Sequence, residues 1–387
     1  MSAPFVIVGA GQAAAQAITS LRAEGYGGDI VLYGAEPYLP YQRPPLSKAY
    51  LGDELAEERL ELKAPTFYAD NGVAVHLGVP VERLLPAEQA VELADGSRQP
   101  YSALLLTTGT RARALPVPGA DLPGVHSIRA IDDVKRFRAA ALPGARLVII
   151  GGGYVGLEVA AKARKLGLEV TVVEGQPRLL ARVACATVSV FVRALHEGQG
   201  VTVLTGVGVA RLMGRERVTG VELADGRHLP ADLVLAAVGA EPNAELAAAA
   251  GLALDNGVKV DAATRTSAAN VYAAGDVASL PSALYGRRVR LESVQNAIDQ
   301  AKAAARAMVG GAIVYDPVPW FWSDQYDVKL QIAGLIDGFT RSEVEGDVAG
   351  RRFCVRYFAG DRLIAVCSVN DPKSHMLGRR ALAAASR

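Results

Sequence analysis

The chain has 387 residues, too many for one ordinary core, so two or three domains are expected. Half of its residues are hydrophobic and 21% are charged, a globular composition and not a disordered one. A formal net charge of +1 argues against a nucleic-acid binder that works by bulk charge.

The opening Met1-Ser2-Ala3-Pro4 carries no basic run and leads straight into an apolar strand pattern, Phe5 to Val8. No signal peptide or membrane span is expected, and a soluble cytoplasmic protein is. Next comes the turn Gly9-Ala10-Gly11-Gln12-Ala13-Ala14, then a helical stretch over 15–22, then a second strand, Ile30 to Tyr33, ending near Glu36. Strand, glycine turn, helix, strand and acid form a phosphate-binding device. Gly9 permits the tight turn, Gly11 admits a pyrophosphate, and Ala14 lets the helix pack on the strand.

The device recurs. Arg146 to Ile150 leads into Gly151-Gly152-Gly153-Tyr154-Val155-Gly156, a helix from Leu157 to about Leu166, and a strand ending at Glu174. Glu174 lies about twenty residues past the glycines, where a carboxylate accepts hydrogen bonds from an adenosine ribose. Two complete fingerprints imply two dinucleotides. Three further strands follow the same plan: Tyr101 to Gly109, ending in Thr108-Gly109; Ala231 to Gly239; and the stretch to Ala274, ending in Gly275-Asp276.

These elements resemble the two-dinucleotide flavoprotein reductases. The resemblance implies an α/β fold with two Rossmann-like units, the first for FAD and the inserted second for NADH, plus a C-terminal α/β domain. The implied boundaries are 1–111 with 241–316 for FAD, 112–240 for NADH and 317–387 for the last. The last should hold a hairpin of Arg352 to Phe358 and Arg362 to Val366, turned at Gly360-Asp361.

Chemistry selects the branch. Disulfide reductases need a redox cysteine pair beside the flavin. The corresponding segment here, Pro40 to Tyr50, has none, and Cys185, Cys354 and Cys367 stand far apart with no CxxC. No metal site is expected either. What the segment does contain, Tyr41-Gln42-Arg43-Pro44-Pro45-Leu46-Ser47-Lys48, resembles the putidaredoxin, rubredoxin and Rieske-dioxygenase ferredoxin reductases. So do Leu291-Glu292-Ser293-Val294-Gln295-Asn296 and Pro319-Trp320-Phe321-Trp322-Ser323-Asp324-Gln325.

That resemblance implies an NADH:ferredoxin oxidoreductase. FAD accepts a hydride from NADH and passes single electrons to a [2Fe–2S] ferredoxin serving a cytochrome P450 or Rieske oxygenase. The alternative is an NADH oxidase or quinone reductase. The resemblance places Arg43, Pro44, Lys48, Val81, Thr108, Gly109, Arg129, Gly275, Asp276, Glu292, Ser293 and Val294 at the flavin, beside Gly9, Gly11, Gln12, Ala13, Ala14 and Glu36. It places Gly151 to Gly156, Glu158, Glu174 and Gly239 at NADH. Lys48, Glu158, Trp320 and Trp322 would act where electrons enter or leave. Ala35 stands where the family often has an acid, leaving Glu36 alone for the FAD ribose. Lys302 and Arg306, on a helix expected over 291–309, are candidate contacts for the ferredoxin.

Overall fold

In the computed structural model, which describes residues 3–385, each glycine turn joins a buried strand to a helix. The outermost residues of the first and last expected domains lie outside that range. The chain begins β1 (Phe5–Val8), α1 (Gln12–Ala23), β2 (Ile30–Gly34), β3 (Val73–Leu77) and β4 (Ala103–Leu106). It crosses through β5 (Thr110–Ala112) and β6 (Val125–His126) to β7 (Arg146–Ile150), α2 (Tyr154–Lys165), β8 (Glu169–Glu174), α3 (Ala186–Glu197), β9 (Thr202–Thr205) and β10 (Leu233–Ala236). It returns through β11 (Ala240–Pro242) to β12 (Val271–Ala273) and α4 (Val294–Met308). The C-terminal part is β13 (Trp320–Gln325), β14 (Val328–Gly334), β15 (Arg341–Asp347), β16 (Arg352–Ala359), β17 (Arg362–Val369) and α5 (Pro372–Ala385).

Strands that are apolar at almost every position suit parallel sheets covered on both faces. The first sheet has the order β12-β4-β1-β2-β3 and the second β9-β8-β7-β10-β6, all of their pairings parallel. Helix α1 packs on α4 through Ala14, Ala17, Ile18 and Leu21 against Ala301, Ala304 and Ala305. Alanines let the helix backbones approach closely. Ile18 and Leu21, both fully buried, each contribute about 1.5–3 kcal/mol.

Where the chain leaves the first sheet and returns to it, β5 and β11 pair antiparallel, Ala112 opposite Ala240 and Thr110 opposite Pro242. The C-terminal sheet is antiparallel, ordered β13-β14-β17-β16-β15, and contains the expected hairpin, extended to Ala359 and Val369. Its residues Leu330, Phe353 and Val355 share one hydrophobic cluster with Leu46, Leu157 and Leu195. The last sheet is therefore built onto the floor of the other two parts.

Three helices differ from expectation at their starts. The first two begin at Gln12 and Tyr154, because Gly11 and Gly153 are themselves the extended N-cap residues. The helix expected from Leu291 begins at Val294, after Ser293, whose hydroxyl accepts from the Asn296 N–H. Among the described residues, no helix is long and apolar enough to cross a membrane and no metal-binding cluster is present.

Candidate cofactor chamber and its carboxylate

Both glycine turns follow from one steric fact. Gly9 has φ +108°, and a Cβ there would stand 2.4 Å from the Thr107 carbonyl oxygen; Gly151 has φ +110°, and its Cβ would stand 2.3 Å from the Ala237 oxygen. Only glycine fits either place. Beyond each turn the space is open: a Cβ on Gly11 or Gly153 would meet nothing within 4 Å. The N-terminal N–H groups of α1 and α2 thus face open space, as a pyrophosphate needs.

A cavity of about 830 Å³ opens in front of the first turn, a size that suits a large organic ligand. Its wall includes Gly9, Gly11, Gln12, Ala13, Glu36, Arg43, Pro44, Lys48, Val81, Thr108, Gly109, Arg129, Gly275, Asp276, Glu292, Ser293 and Val294. Tyr154, Val155, Glu158 and Trp322 line the same space, so residues of both units meet in one chamber. Ala14 is buried behind the turn. Gly151, Gly152, Gly153, Gly156, Glu174 and Gly239 are not among the lining residues; they belong to the second turn and its strand ends.

Trp320 stands beside Trp322, ring centroids 6.1 Å apart, but is not among the residues that line the chamber. It sits under the Arg379 guanidinium, 4.4 Å from the ring centroid, and lines a separate cavity of about 430 Å³ between α4 and α5. Only Trp322 reaches the main chamber. Strand alternation does not resolve this: both tryptophans are on one face of β13, but the chamber ends between them.

Charges on the wall are paired. Arg43 donates to Glu36 Oε1 at 2.6 Å and to the Arg129 carbonyl at 2.6 Å, while the Tyr41 hydroxyl donates to Glu36 Oε2 at 2.6 Å. Arg129 in turn meets Asp276 at 3.0 Å and donates to the Thr110 carbonyl at 2.9 Å. Thr108 and Asn243 exchange hydrogen bonds across the chain crossing, and the Gly275 N–H donates to Gln300 Oε1. In the second unit, Glu174 accepts from the N–H groups of Gly152 and Gln176, both at 2.7 Å.

The densest arrangement surrounds Glu158. Its Oε2 accepts from Lys48 Nζ at 2.7 Å and Ser47 Oγ at 2.6 Å, and its Oε1 accepts from Ser323 Oγ at 2.6 Å. The carboxylate is nearly fully buried, and three donors, one of them a cation, offset its desolvation. Burial pushes the neighbouring Tyr154 phenol well above its ordinary pKa, with Cys367 and Glu158 adding to the effect. Ser47, Ser323, Asn243 and Gln300 receive no role from sequence reasoning, since their partners lie far away in the chain, and neither does Tyr41, although Glu36 is close to it in sequence. All three cysteines are buried free thiols, and none lines the chamber.

The residues present fit two dinucleotides: two open glycine turns, a chamber of suitable volume, and cations in front of the first turn. Comparison with known proteins agrees. Residues 3–301 match the pyridine nucleotide-disulphide oxidoreductase model, and residues 320–387 match the reductase C-terminal model. The chain is 44% identical to rhodocoxin reductase of Rhodococcus erythropolis, over 98% of this chain and 89% of that one. It is 41% identical to putidaredoxin reductase CamA of Pseudomonas putida, over 95% and 88%. The solved covalent putidaredoxin reductase–putidaredoxin complex superposes with a TM-score of 0.95 at 40% identity, covering 98% of this chain and 93% of that chain. The chain belongs to the pyridine nucleotide-disulphide oxidoreductase family.

Proposed function

We propose that the protein is an FAD-dependent NADH:ferredoxin oxidoreductase that delivers single electrons to a [2Fe–2S] ferredoxin of a P450 or Rieske oxygenase system. The observation that carries this is the shared chamber: Tyr154, Val155 and Glu158 of the second unit face the same space as Gly9 to Ala13 of the first. Two dinucleotides held by the two turns would meet there. The absence of cysteine from the lining residues removes a dithiol relay from this member of a disulphide-reductase family, in keeping with relatives named for ferredoxin and putidaredoxin.

When bound, FAD supplies the chemistry of accepting a hydride and releasing electrons singly. The chain does the rest. The first turn and α1 would hold the FAD pyrophosphate, with Arg43 and Arg129 adding charge, and Asp276 would hold the polar end of the flavin chain. Glu174 would accept from the NADH ribose, and Glu158 would face the nicotinamide. Lys48 stands beside Glu158 as the cation nearest the wall they share. Trp322, on the wall, would lie on the exit side.

The same proposal divides the chain at the β5–β11 ribbon, giving 1–111 with 241–316, 112–240 and 317–387. Reduced thiols suit a cytoplasmic setting. For the ferredoxin, Lys302 and Arg306 are both exposed on α4, one turn apart, although Lys302 Nζ is 2.9 Å from Asp299. Steady-state NADH oxidation with ferricyanide, a [2Fe–2S] ferredoxin, menadione and oxygen tests the activity. Ferredoxin should be reduced fastest after ferricyanide; oxygen or menadione outrunning ferredoxin would instead make the enzyme an oxidase or quinone reductase. Reversing Lys302 and Arg306 to Glu should spare ferricyanide turnover and slow ferredoxin reduction, mostly at low salt. An equal loss in both assays would point to damage to α4 itself, and no loss in either would place the docking face elsewhere.

A further inference from the structure

Histidine 196 is fully buried near the end of α3, and nothing above uses it. Its Nε2 is 2.9 Å from Gln325 Oε1, and its Nδ1 has no partner. Gln325 Nε2 donates to Ser323 Oγ at 3.2 Å, and Ser323 Oγ donates to Glu158 Oε1 at 2.6 Å. Each link fixes the next. With Gln325 Oε1 toward the imidazole, His196 must carry its proton on Nε2. The amide nitrogen then faces Ser323, whose oxygen is taken as acceptor, so its own proton has one place to go: the carboxylate. Every donor in the series points toward Glu158. A reversed amide would demand the Ser323 proton for itself and leave Glu158 Oε1 unsatisfied.

The imidazole is held from the other side at a backbone cost. Tyr326, in the two-residue turn between β13 and β14, has φ +56°, a conformation bulky residues rarely take, and its ring lies 5.1 Å from that of His196. Burial lowers the His196 pKa, only partly opposed by its hydrogen bond to Gln325, which keeps the ring neutral.

We propose that Ser323, Gln325 and His196 are positioning residues for Glu158: a one-way series of hydrogen-bond donors that ends on its Oε1 and fixes the carboxylate's direction at the chamber wall. This rests on the placement of Glu158 toward the nicotinamide. The series runs from α3 of the second unit through β13 of the C-terminal sheet back to α2, so the last sheet acts on the site through bonds and not by packing alone.

The test uses the FAD-loaded enzyme, with NADH–ferricyanide kinetics and nitrogen-15 NMR of the histidine ring. Ser323→Ala and His196→Leu should each lower kcat about tenfold. Ser323→Thr and His196→Gln, which keep a donor, should recover most of it. The double variant should be no slower than Ser323→Ala alone, because a series can be broken only once. Wild-type His196 should show the Nε2–H tautomer, and Ser323→Ala, which does not touch the ring, should shift its nitrogen signals by releasing Gln325. Multiplying losses in the double variant, or unshifted His196 signals in Ser323→Ala, would overturn the proposal. If His196→Leu fails to fold, Ser323→Ala against Ser323→Thr with the NMR decides alone. Glu158→Gln separates the two levels: no loss there sinks the placement of Glu158, whereas a loss there with Ser323→Ala at full rate sinks only the series.

Discussion

The two glycine-turn units are built alike and finished differently. In both, the residue after the fourth strand of the run, β4 or β10, returns its N–H to the first strand, Thr107 to Val8 and Ala237 to Ile150, each at 2.8 Å, and its carbonyl forbids a side chain on the first glycine. The third small residue then differs. Ala14 keeps a methyl group under α1, whereas a Cβ on Gly156 would stand 2.3 Å from the Gly151 oxygen, so α2 seats lower on its sheet. The acids differ as well. Side chains from outside the first unit's turn, Arg43 and Tyr41, hold Glu36, while main-chain N–H groups hold Glu174. One site is enclosed by distant segments, as suits a resident cofactor. The other is completed by its own backbone and left open at Val155, 44% exposed, as suits a ligand that comes and goes.

The largest expected effect tests the seating of α2. Gly156→Ala should cut NADH-driven ferricyanide turnover by at least about a hundredfold while FAD stays bound, since the helix must lift from the second turn. Ala14→Gly should cost only about 1 kcal/mol of helix stability. Equal damage from the two changes would erase the contrast. Next comes Glu174→Ala, which should narrow the NADH over NADPH preference in kcat/KM about tenfold by removing a carboxylate that repels a 2′-phosphate. Arg178 cannot supply a replacement charge, because it is turned inward on Ala184, Ala181 and Ser189. A variant with its preference unchanged would show that Glu174 only orders the turn. Asp276→Ala should be milder, weakening FAD retention on dilution a few-fold by freeing Arg129. Flavin absorbance after gel filtration measures it, and full retention would shift that role elsewhere.

The smallest effect concerns the starts of the inner strands. The first sheet starts with Ser102 Oγ donating to the Ala3 carbonyl at 2.6 Å, and the second with Arg146 clamping Asp232 at 2.7 and 2.9 Å. Hydrogen bonds from the Arg146 side chain and backbone hold Asp232 down to about 2. A folded pKa below the unfolded value near 4 contributes stability above pH ~4, lost as pH falls toward ~2. Because the pair is more than a third exposed, Asp232→Asn should lower the melting temperature at neutral pH by only about 1–2 °C. The gap to wild type should close near pH 2; a gap that persists there would mean the lost interaction was not ionic.

Legibility in the sequence followed the same division. The turns, the strands and the C-terminal hairpin are local, written by glycine spacing and apolar runs, and their positions were readable to within a few residues. Glu158 and Lys48 could be named but not joined, since the pair is 110 residues apart in the chain. Ser323, 165 residues from Glu158, and His196 carry no local mark, because nothing about a serine in a strand or a histidine in a helix announces a distant carboxylate. The two tryptophans show a related limit: on one strand face they look equivalent, and only the third dimension divides them between two cavities.

Strand β12 gives the molecule an order in time. It pairs with β4, Val271 opposite Leu104, and lies at the edge of the first sheet although the whole second unit intervenes in the chain. During synthesis the second unit emerges as one uninterrupted stretch able to close its own sheet, while the first, begun earlier, waits for β12 and for Asp276 just beyond it. The unit that starts first closes its sheet only after the second unit has emerged. A flavin site that needs Asp276 can then be complete only after every strand of the second sheet has left the ribosome.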